Sequence, residues 1–313
     1  MTRARSTIRP EIVAHYTRIA RERSRFKSTR GQLEFERSKE LLRRFLPPGR
    51  VVIYDVGGGP GTYAFWLTHL GYEVHLVDPV GLHVRQARER ARREPRSAPV
   101  EIRTGDARKL HFPDVSADVV LLMGPLYHLP QERDRRTALA EALRVLKPGG
   151  LLISVGVTRF TSMMDGSWAG YLSDPAFHRI VRRDLRTGEH RNPKGVPAYW
   201  TTAFFARPSE LAREIRAAGF RLKGTWAVEG FVWWVPGLGR KWRDRVFRRR
   251  LLELLRATER EPTLIGLGPH IMCVAIKPSG GRKIGTVRSL PRAAEICSAG
   301  RSGPGVEGVI RPV

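Results

Sequence analysis

Cysteine is nearly absent from this chain of 313 residues: there are two, Cys273 and Cys297. They form no Cys-x-x-Cys pair and no Cys/His cluster, so no structural zinc or other metal site is expected. One falls in an apolar stretch that reads as a strand, the other in a loose Gly- and Ser-rich stretch. A reducing, cytoplasmic setting fits that usage best. Long apolar runs are also missing. Nothing approaches the ~20 residues that span a bilayer, so membrane insertion is not expected. Residues 1–10 are basic, but no apolar segment follows them, which argues against a secretory signal. Acidic residues are scarce, 30 against 56 Lys and Arg, for a formal charge of +26. Such a surplus can mark a nucleic-acid partner. Here Arg recurs from Arg3 to Arg311, is densest over 18–30 and 240–250, and comes with no RNA- or DNA-binding signature. Background charge on solvated faces is the preferred reading, with no specific nucleic-acid partner.

What is present is an alternation. Residues 1–46 have helical spacing with a break at 28–31, and Pro47-Pro48-Gly49 closes them off. Strand-length apolar runs follow at 51–56, 73–77, 100–103, 117–123 and 151–157. Helical stretches at 63–70, 82–93 and 133–146 lie between them. Strands that are apolar almost throughout, alternating with helices, imply a parallel sheet covered on both faces. Residues 158–208 read as turn-rich. A helix over 209–218, with Ser209 as N-cap, precedes a strand at 221–228. Residues 231–269 hold an aromatic run and a basic helix, and 270–276 is a last strand. From 279 to 313, Gly, Ser, Pro and Arg dominate, and a disordered tail is expected.

The chemistry centres on Asp55-Val56-Gly57-Gly58-Gly59-Pro60-Gly61, at the end of the first strand and the start of a helix. Open α/β sheets bind ligands there, outside the carboxyl ends of their strands. A dinucleotide fingerprint needs a third glycine at the sixth position, which is Thr62 here; a P-loop needs Gly-Lys-Ser/Thr, and the chain has Gly61-Thr62-Tyr63. The remaining pattern, D-x-G-x-G-x-G, aims a carboxylate at the cleft. That suits a cationic amino-acid moiety and would repel pyrophosphate.

This segment resembles motif I of the class I S-adenosylmethionine-dependent methyltransferases, in their type 11-like form. Later landmarks agree in order. Asp78, before Pro79, ends the second strand; the resemblance implies that it receives the ribose hydroxyls. Gly105-Asp106-Ala107 follows the third strand, where the family's acid contacts the adenine amino group. Met123 and Gly124 end the fourth strand, and Leu146-Lys147-Pro148-Gly149-Gly150-Leu151 resembles the turn into the fifth. The resemblance is firm over residues 50–157 and weaker to Ile276. It implies a Rossmann-like, seven-stranded, mostly parallel sheet. An N-terminal helical cap (1–48) would precede the methyltransferase domain (49–278). Insertions after strands five and six (158–208 and 231–269) would form a substrate lid.

S-adenosylmethionine is the implied cofactor, held by Asp55, Gly57, Gly58, Gly59, Gly61, Asp78, Pro79, Asp106, Ala107, Met123 and Gly124. Gly124-Pro125-Leu126-Tyr127-His128 falls where the family places residues beside the transferring methyl. Tyr127 would line that channel and His128 would be its general base. In-line positioning can carry such a transfer, so a loop-orienting role for His128 weighs more. His270 reads more as a polar residue at a strand start than as a pocket ligand. The aromatic groups 199–205 and 226–234 fit an apolar pocket or the lid's own core. The expected function is methyl transfer to an O, N or C nucleophile of a small molecule. The rivals are an RNA or protein methyltransferase and a non-catalytic S-adenosylmethionine-binding regulator. Oligomeric state is not fixed by the sequence.

Overall fold

A computed structural model of the chain describes residues 9–19 and 22–279. Cys297 and the expected tail beyond Ser279 lie outside the described residues. The strands are β1 (Val52–Val56), β2 (Glu73–Asp78), β3 (Glu101–Thr104), β4 (Ala117–Leu122), β5 (Leu146–Thr158), β6 (Glu189–His190), β7 (Ala203–Ala206), β8 (Arg221–Ala227) and β9 (His270–Ile276). The α-helices are α1 (Pro10–Ala14), α2 (Thr29–Phe45), α3 (Thr62–His69), α4 (Gly81–Arg93), α5 (Glu132–Val145), α6 (Thr161–Ala169), α7 (Pro175–Thr187), α8 (Pro208–Ala217), α9 (Leu238–Lys241) and α10 (Arg245–Thr258).

The sheet runs β3-β2-β1-β4-β5-β7-β6, with β9 antiparallel to β5 and β8 antiparallel to β9. The pairs β1/β2, β2/β3, β1/β4, β4/β5 and β5/β7 are parallel. Chain order reverses between β1 and β4, and the carboxyl ends of those two strands open the cleft that such a switch point creates. Alternation along each strand sends side chains to two cores. Ile53, Val119 and Leu121 pack with Leu41, Leu42, Ala64, Phe65 and Ala87 of α2, α3 and α4. Tyr54, Val120 and Leu122 pack with Leu139, Ala142, Leu211 and Ile215 of α5 and α8.

Three local expectations change. The sheet has nine strands among the described residues, because 158–208 is not a run of turns. It holds α6, α7 and the short strands β6 and β7. The start of α7 is strongly signalled: Asp174 accepts a bond from the Ala176 amide and Pro175 takes the first helical position. Ser209 is not a cap. Helix α8 starts one residue earlier, at Pro208, and Glu210 reaches back to accept from the Arg207 amide at 2.9 Å. Finally, Lys147–Gly150 does more than stop α5. These residues bulge within β5, so that Ala117 pairs Leu146 but Val119 pairs Leu151. The bulge is tied down by Gly149 donating to Lys277 and Lys277 donating to Gly150. Among the described residues no helix is long and apolar enough to cross a membrane.

Candidate functional site

The glycine loop between β1 and α3 turns through left-handed conformations at Gly57, Gly59 and Gly61, with φ of +73°, +61° and +85°. Asp78, at the end of β2, pins it. One carboxylate oxygen accepts from the Gly59 amide at 2.8 Å. The other accepts from the Val80 amide at 2.8 Å and from His83 Nδ1 at 3.1 Å. The glycines are not interchangeable. A Cβ on Gly58 would lie 2.4 Å from Asp55 Oδ2, and one on Gly57 2.6 Å from the Pro125 ring. A Cβ on Gly59 would find only His83 Nδ1, at 3.9 Å, and otherwise open space. Gly59 is therefore where a ligand can meet bare backbone.

Asp55 lies beneath this loop, buried, with no hydrogen-bond partner on either carboxylate oxygen. Burial, and next the neighbouring charge of Asp78, push its carboxyl up to about 7. An unpartnered buried carboxylate is costly unless something else completes it. It marks the position at which a cationic ligand would be stabilised.

One cavity brings together Asp55, Gly57, Gly58, Gly59, Asp78, Pro79, Asp106, Ala107, Met123 and Gly124, ten of the eleven residues expected to hold a cofactor. Gly61 is the exception. It caps α3 from behind, and its missing Cβ lets Phe65 and Leu76 approach to 3.0 and 3.1 Å. Asp106 is engaged by Arg108, whose guanidinium donates to both carboxylate oxygens at 3.0 and 2.7 Å. The same cavity is lined by Tyr16, Arg25, Phe26, Tyr63 and His83, which the sequence reading did not select. Tyr16, Arg25 and Phe26 arrive from a π-helical turn (His15–Ile19) and a 3₁₀ turn (Glu22–Lys27), through packing that no local pattern announces.

After β4 the chain makes a 3₁₀ turn, Pro125–His128. Tyr127 and His128 line both this cavity and a second one of about 360 Å³, as do Tyr16 and Arg25. These four side chains form the partition. Tyr16 is 2.6 Å from His128 Nε2 and donates to it if that nitrogen is unprotonated. Burial pushes the His128 imidazole down to about 3, against a smaller opposing effect of the Thr202 backbone. A histidine held that low stays neutral at physiological pH and is a weak base, which favours the orienting role.

Trp200, Phe205 and Trp233 line the second cavity. Other members of the aromatic groups 199–205 and 226–234 pack into the fold. Trp226 packs on Phe45 at 4.6 Å, Tyr199 on Phe177 at 4.5 Å, and Phe204 lies under the Arg135 guanidinium at 3.6 Å. Trp234 Nε1 donates to the Leu267 carbonyl at 2.6 Å.

Polar groups also converge on this cavity. His270 Nδ1 is 2.7 Å from Glu229 Oε1, and Glu229 Oε2 accepts from the His270 amide at 3.2 Å. Glu34 is held by Arg25, whose Nε and Nη2 donate to its two oxygens at 3.3 and 2.6 Å. Ligand-type atoms of Glu34, Glu229 and His270 lie within 4.8 Å of one another. Arg25 thus offsets the charge of Glu34, and His270 gives Glu229 a hydrogen-bond partner.

Residues 54–154 match the model of a methyltransferase-domain family. A ubiquinone/menaquinone biosynthesis C-methyltransferase of Neisseria meningitidis serogroup A is 29% identical over 143 residues, 44% of this chain and 56% of that protein. The match thus spans little more than half the length of that relative. An uncharacterized methyltransferase of Mycobacterium sp. (strain KMS) is 31% identical over 200 residues, 61% of this chain and 72% of that one. The crystal structure of a Pyrococcus horikoshii protein superposes with a TM-score of 0.55 at 19% identity, covering 82% of this chain and 99% of the other, a likeness of fold. Motif order, sheet topology and these relatives agree: the chain belongs to the class I S-adenosylmethionine-dependent methyltransferases.

Proposed function

We propose that the protein transfers a methyl group from S-adenosylmethionine to an O, N or C nucleophile of a small molecule bound in the second cavity. The observation that carries this reading is the pair of cavities sharing the partition of Tyr16, Arg25, Tyr127 and His128. One side holds a glycine loop with bare backbone at Gly59 and a buried, unpartnered carboxylate at Asp55. The other is lined by three large aromatic rings.

The residues of the first cavity fit the cofactor. Asp55 would face its cationic amino-acid end, Asp78 its ribose and Asp106 its adenine. When bound, the cofactor supplies an electrophilic methyl on a sulfonium. The chain's own work is placement: the Asp78-pinned loop fixes the donor, and the partition residues set the acceptor in line with it. Helices α2 and α6, with the turn 230–234, wall the acceptor side. We read 158–208 and 231–269 as the substrate lid on that basis. Labelled S-adenosylmethionine offered to pools of metabolites and RNA, over a salt series, tests the reading. Label in small molecules is expected. Salt-resistant binding to one RNA, with label in that RNA, would overturn it, since phosphate-driven binding collapses as salt rises.

Asp55 gives a prediction with a fixed sign. Its folded value of about 7 stands above an unfolded value of about 3.9. The folded state therefore binds the extra proton between those values, and stability falls as pH rises through that window. Asp55→Asn should raise the melting temperature at pH 8, raise it by about a third as much at pH 5, and weaken cofactor binding. Thermal melts and calorimetry at both pH values check this; an Asn variant destabilised at pH 8 would contradict it.

Gly59→Val should keep the fold, at a cost of about 1–2 kcal/mol for a branched residue in a left-handed conformation, and abolish cofactor binding. Binding at wild-type affinity by the folded variant would show that the ligand does not approach this backbone.

A further inference from the structure

We infer that His270, held by Glu229, accepts the proton that an O–H or N–H acceptor loses during methyl transfer. The inference rests on the reading of the second cavity as the acceptor site. Of the histidines on that cavity, His128 is the one the motif points to, but its Nε2 is engaged by Tyr16. His270 differs in its partners. It opens β9 and lines the second cavity. Its Nδ1 is fixed by Glu229, which is fully buried and also accepts from the His270 backbone amide. A carboxylate can only accept, so Nδ1 carries the proton of that bond and Nε2 is the nitrogen left for an acceptor. Among the described residues, no hydrogen bond engages Nε2.

The charges around it favour that role. Glu229 comes from the turn after β8, Glu34 from α2, Arg25 from the 3₁₀ turn, Asp165 from α6 and His15 from the π-helical turn. Burial opposes a charged imidazole here, but the carboxylates of Glu229 and Glu34 outweigh it, with Arg25 acting against them, and the group is raised above an ordinary histidine. An imidazolium formed at this place is stabilised by a partner already in hydrogen-bond contact. The step balances. The acceptor's O–H or N–H bond breaks, and its electron pair forms the bond to the methyl carbon. The methyl–sulfur pair stays on sulfur, and the proton goes to His270 Nε2. Glu229 touches no acceptor in this scheme and is a positioning residue.

Two measurements test the inference. In the first, ¹⁵N-histidine spectra of the full chain are recorded across pH, with His270→Gln to assign the signal. His270 should titrate above the ordinary histidine range, and Glu229→Gln should lower that titration. An Nε2 that never changes protonation state would overturn the inference without any turnover being measured. In the second, methyl transfer to an O–H or N–H acceptor found with labelled cofactor is followed against pH. His270→Gln should lower kcat by about 10²–10⁴-fold. Affinity for the demethylated cofactor should not change. Glu229→Gln should lower kcat less and move the acid limb of the profile to lower pH. An active wild type whose His270→Gln variant keeps full kcat and the same acid limb would overturn the inference alone. No transfer by the wild type to any acceptor class would overturn the methyl-transfer reading, and the inference with it.

Discussion

Asp78→Ala is expected to weaken binding of S-adenosylmethionine and of its demethylated product by roughly tenfold to a hundredfold. The lower bound comes from the ribose: a hydrogen bond to a charged group contributes about 1.5–3 kcal/mol. The structure adds a second reason. Asp78 is also the clamp of the glycine loop, through the amides of Gly59 and Val80 and the ring of His83. Removing it releases the backbone that the ligand would meet. Asp78→Asn keeps one acceptor oxygen and should lose less. Calorimetric titration of the folded variants checks the order. An alanine variant with unchanged affinity would remove Asp78 from the site.

Arg135→Ala is expected to destabilise the fold by about 3–5 kcal/mol, the cost typical of leaving one member of a buried ion pair alone. Arg135 on α5 is buried and donates to both oxygens of Glu214 on α8, at 2.8 and 2.6 Å. It also donates to the carbonyls of Leu129 and Pro130, each at 2.9 Å, and packs over Phe204. One side chain thus joins two helices, a strand of the insertion and the loop that follows His128. Denaturant unfolding measures the loss. Replacing both charges, Arg135→Met with Glu214→Leu, should recover much of it, because no bare carboxylate remains. A single variant as stable as wild type would show that Glu214 finds water or another partner.

The parts of the molecule that were readable from sequence are those with local causes. Asp55, the glycines and Asp78 sit at strand ends whose apolar runs and glycine stops carry strong signals, and the cavity gathers them where the motif places them. The second cavity was largely hidden. Tyr16 and Arg25 reach it from the N-terminal turns and Glu34 from α2, and Glu229 and His270 meet between a turn and a strand far along the chain. No spacing rule links residues so distant; only packing does. Residues 158–208 are a different case, since signals were there. Asp174 and Pro175 open α7, Phe177, Ile180, Val181 and Asp184 follow helical spacing, and Gly188 closes it. Helix α6 is harder, because it contains Gly166, a poor helix former: a Cβ there would lie 2.3 Å from the Phe177 ring, so packing and not propensity selects the residue. Gly61 is the converse case, a motif glycine that does not line the cavity. Its place in the motif suggested ligand contact, whereas its missing side chain makes room for Phe65 and Leu76.

The most direct test of the account is calorimetric titration of the purified chain with S-adenosylmethionine, its demethylated product and NADH. One site of micromolar affinity for the first two, with no NADH binding, is the predicted result. NADH binding without S-adenosylmethionine binding would contradict it.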